Sequence, residues 1–234
     1  GHPRNAEDKR NGARSGMETG KRPPAAADEG VVSAVRIRRS SQRDVEDDGL
    51  MAYPDPAVYD TLPKLLRYNT ENHGPDVAVR EKDLGIWHES NWAEYGAKVK
   101  HIALALRDLG IARGDVVAMI GDNDSNWTAF EIAAHTAGAM TMGIYRDALE
   151  DEVGYLAEYA GVKLIYAENQ EQVDKCLALS ERLPALKHII YSDNRGMRKR
   201  DDPRLLYLAE MLADGAAADE KAPGAFDAMV AATS

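Results

Sequence analysis

From residue 59 onward the hydrophobic positions alternate between short unbroken runs and helically spaced stripes, and the changeovers mark the elements. Val116–Ile120 is five apolar residues in a row, the pattern of a strand buried on both faces of a parallel sheet. Gly121-Asp122-Asn123-Asp124 is a turn cluster, and Asp124 or Ser125 can cap a following helix by accepting from its free N–H groups. Trp127, Phe130, Ile132 and Ala134 spread over that helix, and Gly138 stands where a left-handed C-terminal residue belongs. Residues 139–145 form a second apolar run, so this stretch predicts a βαβ unit around which the chain is organised.

The same rhythm extends to both sides. Residues 59–72 predict an amphipathic helix with Leu62, Leu65 and Leu66 on one face, Pro63 in its first turn and Gly74-Pro75 as its stop. Two short runs, 76–81 and 85–89, joined through Lys82-Asp83-Leu84-Gly85, read as a hairpin. Asn91 with Glu94 three residues on forms a capping-box pattern, opening a long helix that Gly110 ends. Downstream, 149–159 reads as a helix with early acids (Glu150, Asp151, Glu152), closed by Gly161. Residues 162–167 read as a strand, 169–183 as a helix ended by Pro184, and 187–191 as a strand. A polar stretch, a short helix over 205–212 and an Ala/Gly/Asp-rich stretch complete the chain. The fold class is α/β: a mostly parallel sheet with flanking helices.

Composition changes the picture at the N-terminus. Residues 1–30 are Gly-, Pro- and charge-rich without either period, which predicts disorder. Residues 31–43 carry a small basic cluster beside Ser40 and Ser41, read as a solvated tail. Residues 1–50 are therefore expected to be a disordered tail or a non-native extension, with Met51 as the native start. Across all 234 residues the formal charge is −10, which argues against a nucleic-acid surface. No apolar run approaches the ~20 residues a membrane helix needs. The single cysteine, Cys176, excludes an intramolecular disulfide and any multi-cysteine metal site. The expected location is the cytoplasm.

No catalytic constellation is visible. Gly121 is followed by Asp-Asn-Asp and not by a dinucleotide fingerprint, and neither a P-loop nor a G-x-S-x-G elbow occurs. Asp122, Asp124 and Asn126 have the opening spacing of a calcium loop, but Trp127 and Ala133 occupy positions that need glycine and glutamate. Asp122 at a strand end could accept a phosphoryl group, although a turn former bonding nearby amides explains it better. His101 and His135 read as packed histidines, Cys176 as core, Trp127 as a packing anchor, and Arg113-Gly114-Asp115 as the turn before a strand. The residues themselves identify no catalytic, cofactor or metal site.

A resemblance adds what spacing cannot. SNWAEYGAKVKHIALALRDLGI and HTAGAMTMGIYRDALEDEVGYLAEYAGVKLIYAE resemble the first two core motifs of the AMP-forming adenylating superfamily. AENQEQVDK followed by PALKHIIY is similar to the bacterial long-chain fatty acid–CoA ligases in particular, and the likeness covers residues 53–208. Asp124-Ser125-Asn126 departs from it, standing where an Arg-Pro-Glu-like triplet is expected. The resemblance implies conversion of a fatty acid, ATP and CoA to acyl-CoA through an acyl-adenylate, with Mg²⁺, and is compatible with a homodimer and with peripheral contact at the inner face of the membrane.

It further implies that residues 51–234 are a truncated N-terminal portion of the AMP-binding domain. The phosphate loop, Mg²⁺-binding Glu, ribose-binding Asp and catalytic Lys are expected beyond Ser234, so no family site residue falls on this chain. A sheet interrupted there should have an open edge and uncovered apolar faces, fold poorly alone and lack ligase activity. Two alternatives stay open: a sibling adenylating ligase (aryl–CoA or fatty acyl–AMP), and a non-catalytic α/β binding or regulatory module.

Overall fold

A computed structural model describes residues 53–234. The expectations for residues 1–50 and for a start at Met51 lie outside the described residues. Helix α1 spans Leu62–His73, opened by the Thr61 side chain accepting from the Lys64 N–H, with Pro63 in the first turn. Strands β1 (Val77–Asp83) and β2 (Ile86–Asn91) form an antiparallel hairpin. Its turn is only Leu84-Gly85, both at positive φ, so the strands run further into the expected connection than the sequence suggests. Asn91 and Glu94 complete a full capping box for α2 (Trp92–Asp108).

The central unit forms as expected: β3 (Val116–Ile120), α3 (Ser125–Thr136) capped by Asp124, and β4 (Met140–Ile144). Then follow α4 (Glu150–Ala160), β5 (Leu164–Ala167), α5 (Gln170–Ala178), β6 (His188–Tyr191), β7 (Leu205–Tyr207), α6 (Leu208–Lys221) and α7 (Ala225–Ala231). Two expectations are corrected here. Helix α5 stops at Ala178, where Ser180 and Arg182 already fold back onto Leu177 and Leu179, well short of Pro184. The expected short helix over 205–212 is divided: Leu205–Tyr207 pairs with Ile189–Tyr191 as a strand, and the helix begins at Leu208 and runs on through the Ala-rich stretch.

The sheet is wholly parallel, in the order β4-β3-β5-β6-β7. Strand residues alternate between two cores. Val117, Met119, Leu164, Tyr166 and Ile190 face α2, α3 and α6, with α1 and α7 packed outside. Ala118, Ile120, Ile165, Ala167 and Ile189 face α4 and α5, together with buried Val153, Val173 and Cys176. Both faces of the sheet are therefore covered, against the expectation of bare apolar faces, because α6 supplies the layer that the sequence reading left undefined. The edges remain as open as expected: β4 on one side and β7 on the other.

Candidate functional site

In open parallel sheets, ligands sit beyond the carboxyl ends of the strands, where the strand order reverses. Here the chain leaves β3 toward β4 and returns across it to β5, so the reversal lies at the β3–α3 and β5–α5 turns. Gly121 adopts φ +154°, and a side chain there would collide with the Cβ of Glu168. That close approach lets the Glu168 carboxylate accept from the Asp122 N–H at 2.7 Å. The Glu168 carbonyl in turn accepts from the Ser192 hydroxyl (3.0 Å) and the Asp193 N–H (2.8 Å), linking the ends of β3, β5 and β6.

The start of α3 would ordinarily attract an anion, since its first N–H groups are free and the helix dipole favours negative charge. Carboxylates of the chain already occupy it. Asp124 accepts from the Trp127 N–H at 2.7 Å, and Glu81 on the hairpin accepts from both the Ser125 N–H and its hydroxyl. Half-buried Lys98 lies 3.5 Å from that hydroxyl; burial lowers its pKa, opposed by Asp124 and Glu81. An incoming phosphate finds these backbone donors taken. Beside them, an open recess of about 430 Å³ lies between the Gly121–Asn123 turn and the Gly143–Arg146 segment, with Trp127 between them. The Arg146 guanidinium pairs with Asp122 at its mouth. Trp127 meets the buried Tyr166 ring edge-on at 6.5 Å, and burial raises the pKa of that phenol.

The candidates singled out from sequence do not converge. Asp122 belongs to the rim as an ion-pair partner, and Asp124 is spent on its cap. His135 shares a hydrogen bond with the Thr141 hydroxyl at 3.0 Å, while His101 is half-buried on α2, where burial and then Lys100 lower its pKa. Cys176 is fully buried and its thiol is pushed up to about 12 by desolvation, as befits core. Asp115 of the Arg-Gly-Asp turn accepts from the Ala112 N–H and from Lys163, each at 2.8 Å. Among the described residues, no group of three or more His, Cys, Asp or Glu side chains is placed to hold a metal ion. At this rim, the described turn donors that would meet a nucleotide phosphate are already taken by Glu81, Asp124 and Glu168. Sequence reasoning missed Glu81, Lys98, Glu168 and Arg146; the first three reach the rim across gaps in sequence that leave no local signal.

Comparison with known proteins gives this geometry a context. Residues 66–222 match the sequence profile of the family described as AMP-binding enzyme. A long-chain-fatty-acid–CoA ligase of Xenopus laevis, ACSBG2, is 27% identical over 168 residues, 72% of this chain and 21% of that protein. FadD15 of Mycobacterium tuberculosis, also a long-chain-fatty-acid–CoA ligase, is 23% identical over 135 residues, 57% of this chain and 22% of that protein. The chain thus spans about a fifth of the length of these relatives. Among solved structures, the anthranilate CoA ligase AuaEII bound to anthranoyl-AMP superposes with a TM-score of 0.57 at 17% identity, covering 67% of this chain and 28% of that one. The A-PCP didomain of a carboxylic acid reductase from Segniliparus rugosus gives 0.56 at 18% identity, covering 69% and 28%. At these identities the superpositions establish the fold.

Proposed function

The chain belongs to the AMP-binding enzyme family, and on that footing we propose that residues 51–234 form the N-terminal portion of the adenylating domain of an AMP-forming long-chain fatty acid–CoA ligase. The observation that carries this reading is the match over residues 66–222, joined by relatives whose names agree on one activity. The proposed reaction has two steps. A carboxylate oxygen of the fatty acid attacks the α-phosphorus of ATP and expels pyrophosphate. The thiol sulfur of CoA then attacks the acyl carbon, loses its proton and expels AMP. Dividing the reaction gives an inert carboxylate a good leaving group before the thiol arrives.

In this reading the present segment is scaffold. It contributes no catalytic, cofactor-binding or metal-binding residue; ATP, Mg²⁺ and CoA are held by other parts of the complete enzyme. That assignment is supported by the carboxylates of Glu81, Asp124 and Glu168 filling the turn donors. No helix among the described residues is long and apolar enough to cross a membrane. The reading places the enzyme in the cytoplasm, drawing its fatty acid from the inner face of the membrane, with any homodimer formed through surfaces other than the rim.

Exchange of labelled pyrophosphate into ATP, dependent on added fatty acid, tests the proposal. The 234-residue chain is expected to show none, and the longest product of its source gene is expected to show exchange with palmitate and not with benzoate. Turnover by the 234-residue chain would overturn the scaffold assignment. A longer product active only on aryl acids, or one releasing no acyl-CoA, would overturn the substrate and product assignment.

A further inference from the structure

The first residue of β6 carries a buried polar atom without a partner. His188 pairs with Leu164 of β5, and by strand alternation its ring lies on the same side as Ile190, toward the layer of α2 and α6. Its Nδ1 is buried beneath the chain's own atoms and has no hydrogen-bond partner in the protein. One other buried side-chain atom among the described residues lacks a partner, Gln172 Oε1, and an amide does not titrate.

A neutral imidazole can leave Nδ1 as a bare acceptor and carry its proton on Nε2, whereas a protonated ring carries N–H on both nitrogens. Protonation therefore places a charged donor where no acceptor waits, a worse state than an unmet lone pair. Burial, then Lys163 just before β5, then Lys187 beside it in sequence, all hold the His188 pKa below its ordinary value. The carboxylates of the neighbouring elements are committed elsewhere. Asp115 holds Lys163, Asp202 holds Arg204 before β7, Asp219 of α6 holds Lys100 of α2, and Asp108 holds Arg107. On α2, Glu94 and Lys98 turn to Asn91 and Ser125; on α6, Glu210, Asp214, Glu220 and Lys221 are exposed.

The folded form has the lower pKa, so His188 costs nothing above about pH 6.5, and stability is lost as the pH falls from there. The ring sits where the strand is held by few bonds. The Lys187 N–H donates to the Lys163 carbonyl and the Ile189 N–H to the Arg204 carbonyl, each at 2.8 Å. Lifting these residues uncovers the ring and leaves the central strands paired.

We propose that His188 is an acid-sensitive latch: uptake of a proton by its ring frees the first residues of β6 from the Lys163 and Arg204 carbonyls, opening this corner of the sheet while β3 and β4 stay joined. The inference stands independently of the ligase reading.

The test follows amide exchange in the 234-residue chain at about pH 7.5 and about pH 5.5, with each rate corrected for the pH dependence of exchange itself. At the lower pH, protection of the Lys187 and Ile189 amides is expected to fall about fivefold relative to the amides of Val117–Ile120. His188→Gln and His188→Leu, one polar and one apolar, cannot titrate, and each is expected to remove that fall. His101→Gln, at the other histidine whose pKa burial lowers, is expected to leave it in place. By NMR the His188 ring is expected to titrate below pH 6.5. The proposal is overturned by equal protection at the two pH values, by a fall that β3 shares equally, by a fall that survives in both His188 variants, or by a ring that titrates at or above pH 6.5.

Discussion

The two edges of the sheet are finished by opposite means. At β7 the edge strand is short and braced: three half-buried residues, Leu205–Tyr207, feed directly into α6, which returns to pack along α2. Ion pairs guard the approach, with Arg204 bound to Asp202 and Arg200 to Asp174, and Tyr207 stacks on Tyr191 across the last rung. At β4 the strand is longer, uncharged and bordered by exposed methionine and tyrosine. The same parallel ladder thus ends once in a short strand tied into the helical layer and once in a longer, more exposed one. Damage at the first should cost stability, and damage at the second should cost association.

The largest effect is expected where α6 crosses α2. A Cβ on Gly215 would fall on the His101 carbonyl, backbone that cannot move aside without bending α2. Gly215→Val is expected to destabilise the chain by about 3 kcal/mol in urea unfolding and to loosen β7 with it. A smaller effect is expected from the ion pair before β7. Arg204 holds the Asp202 carboxyl down to about 2 from an ordinary 3.8, through its side chain and then its own N–H. Because the folded-state pKa is the lower one, the pair stabilises the fold above pH ~4 and its contribution disappears as pH falls from there through about 2. Asp202→Asn is expected to cost about 1 kcal/mol or less at pH 7, a cost that fades as the pH falls through about 2, and to flatten the acid limb of the stability profile. The smallest stability effect belongs to β4. Met140→Lys is expected to change unfolding free energy by less than about 0.5 kcal/mol while reducing aggregation on concentration, measured by light scattering. A large loss of stability there would abolish the contrast between the edges.

The legibility of these regions in sequence follows the range of the interactions that build them. The β3–α3–β4 unit was readable because its signals are local: five apolar residues, a capping aspartate three residues before the N–H it binds, and Gly138 at φ +84° after the helix. The β7–α6 region was not. Leu205–Tyr207 fits a helical stripe as well as a strand, and only the neighbouring β6 decides between them. The Ala- and Gly-rich stretch beyond carries a weak apolar stripe, yet alanine favours helix and Gly215 permits the close crossing with α2. At the rim, Asp122 and Asp124 could be noticed. Glu81 and Glu168 could not, since they meet their donors across 44 and 46 residues of chain.

The bonds around Glu168 have a mechanical corollary. Its side chain grips the turn after β3, its own N–H donates to the Ile120 carbonyl, and its carbonyl carries Ser192 and Asp193 beyond β6. Three loops that could have moved separately are riveted into one stiff lip. The segment after β4 joins that lip chiefly through the solvent-exposed pairing of Arg146 with Asp122, supported from below by Lys175 holding the Arg146 and Ala148 carbonyls. The crevice therefore has one fixed jaw and one compliant jaw, and any widening to admit a guest must come from the β4 side.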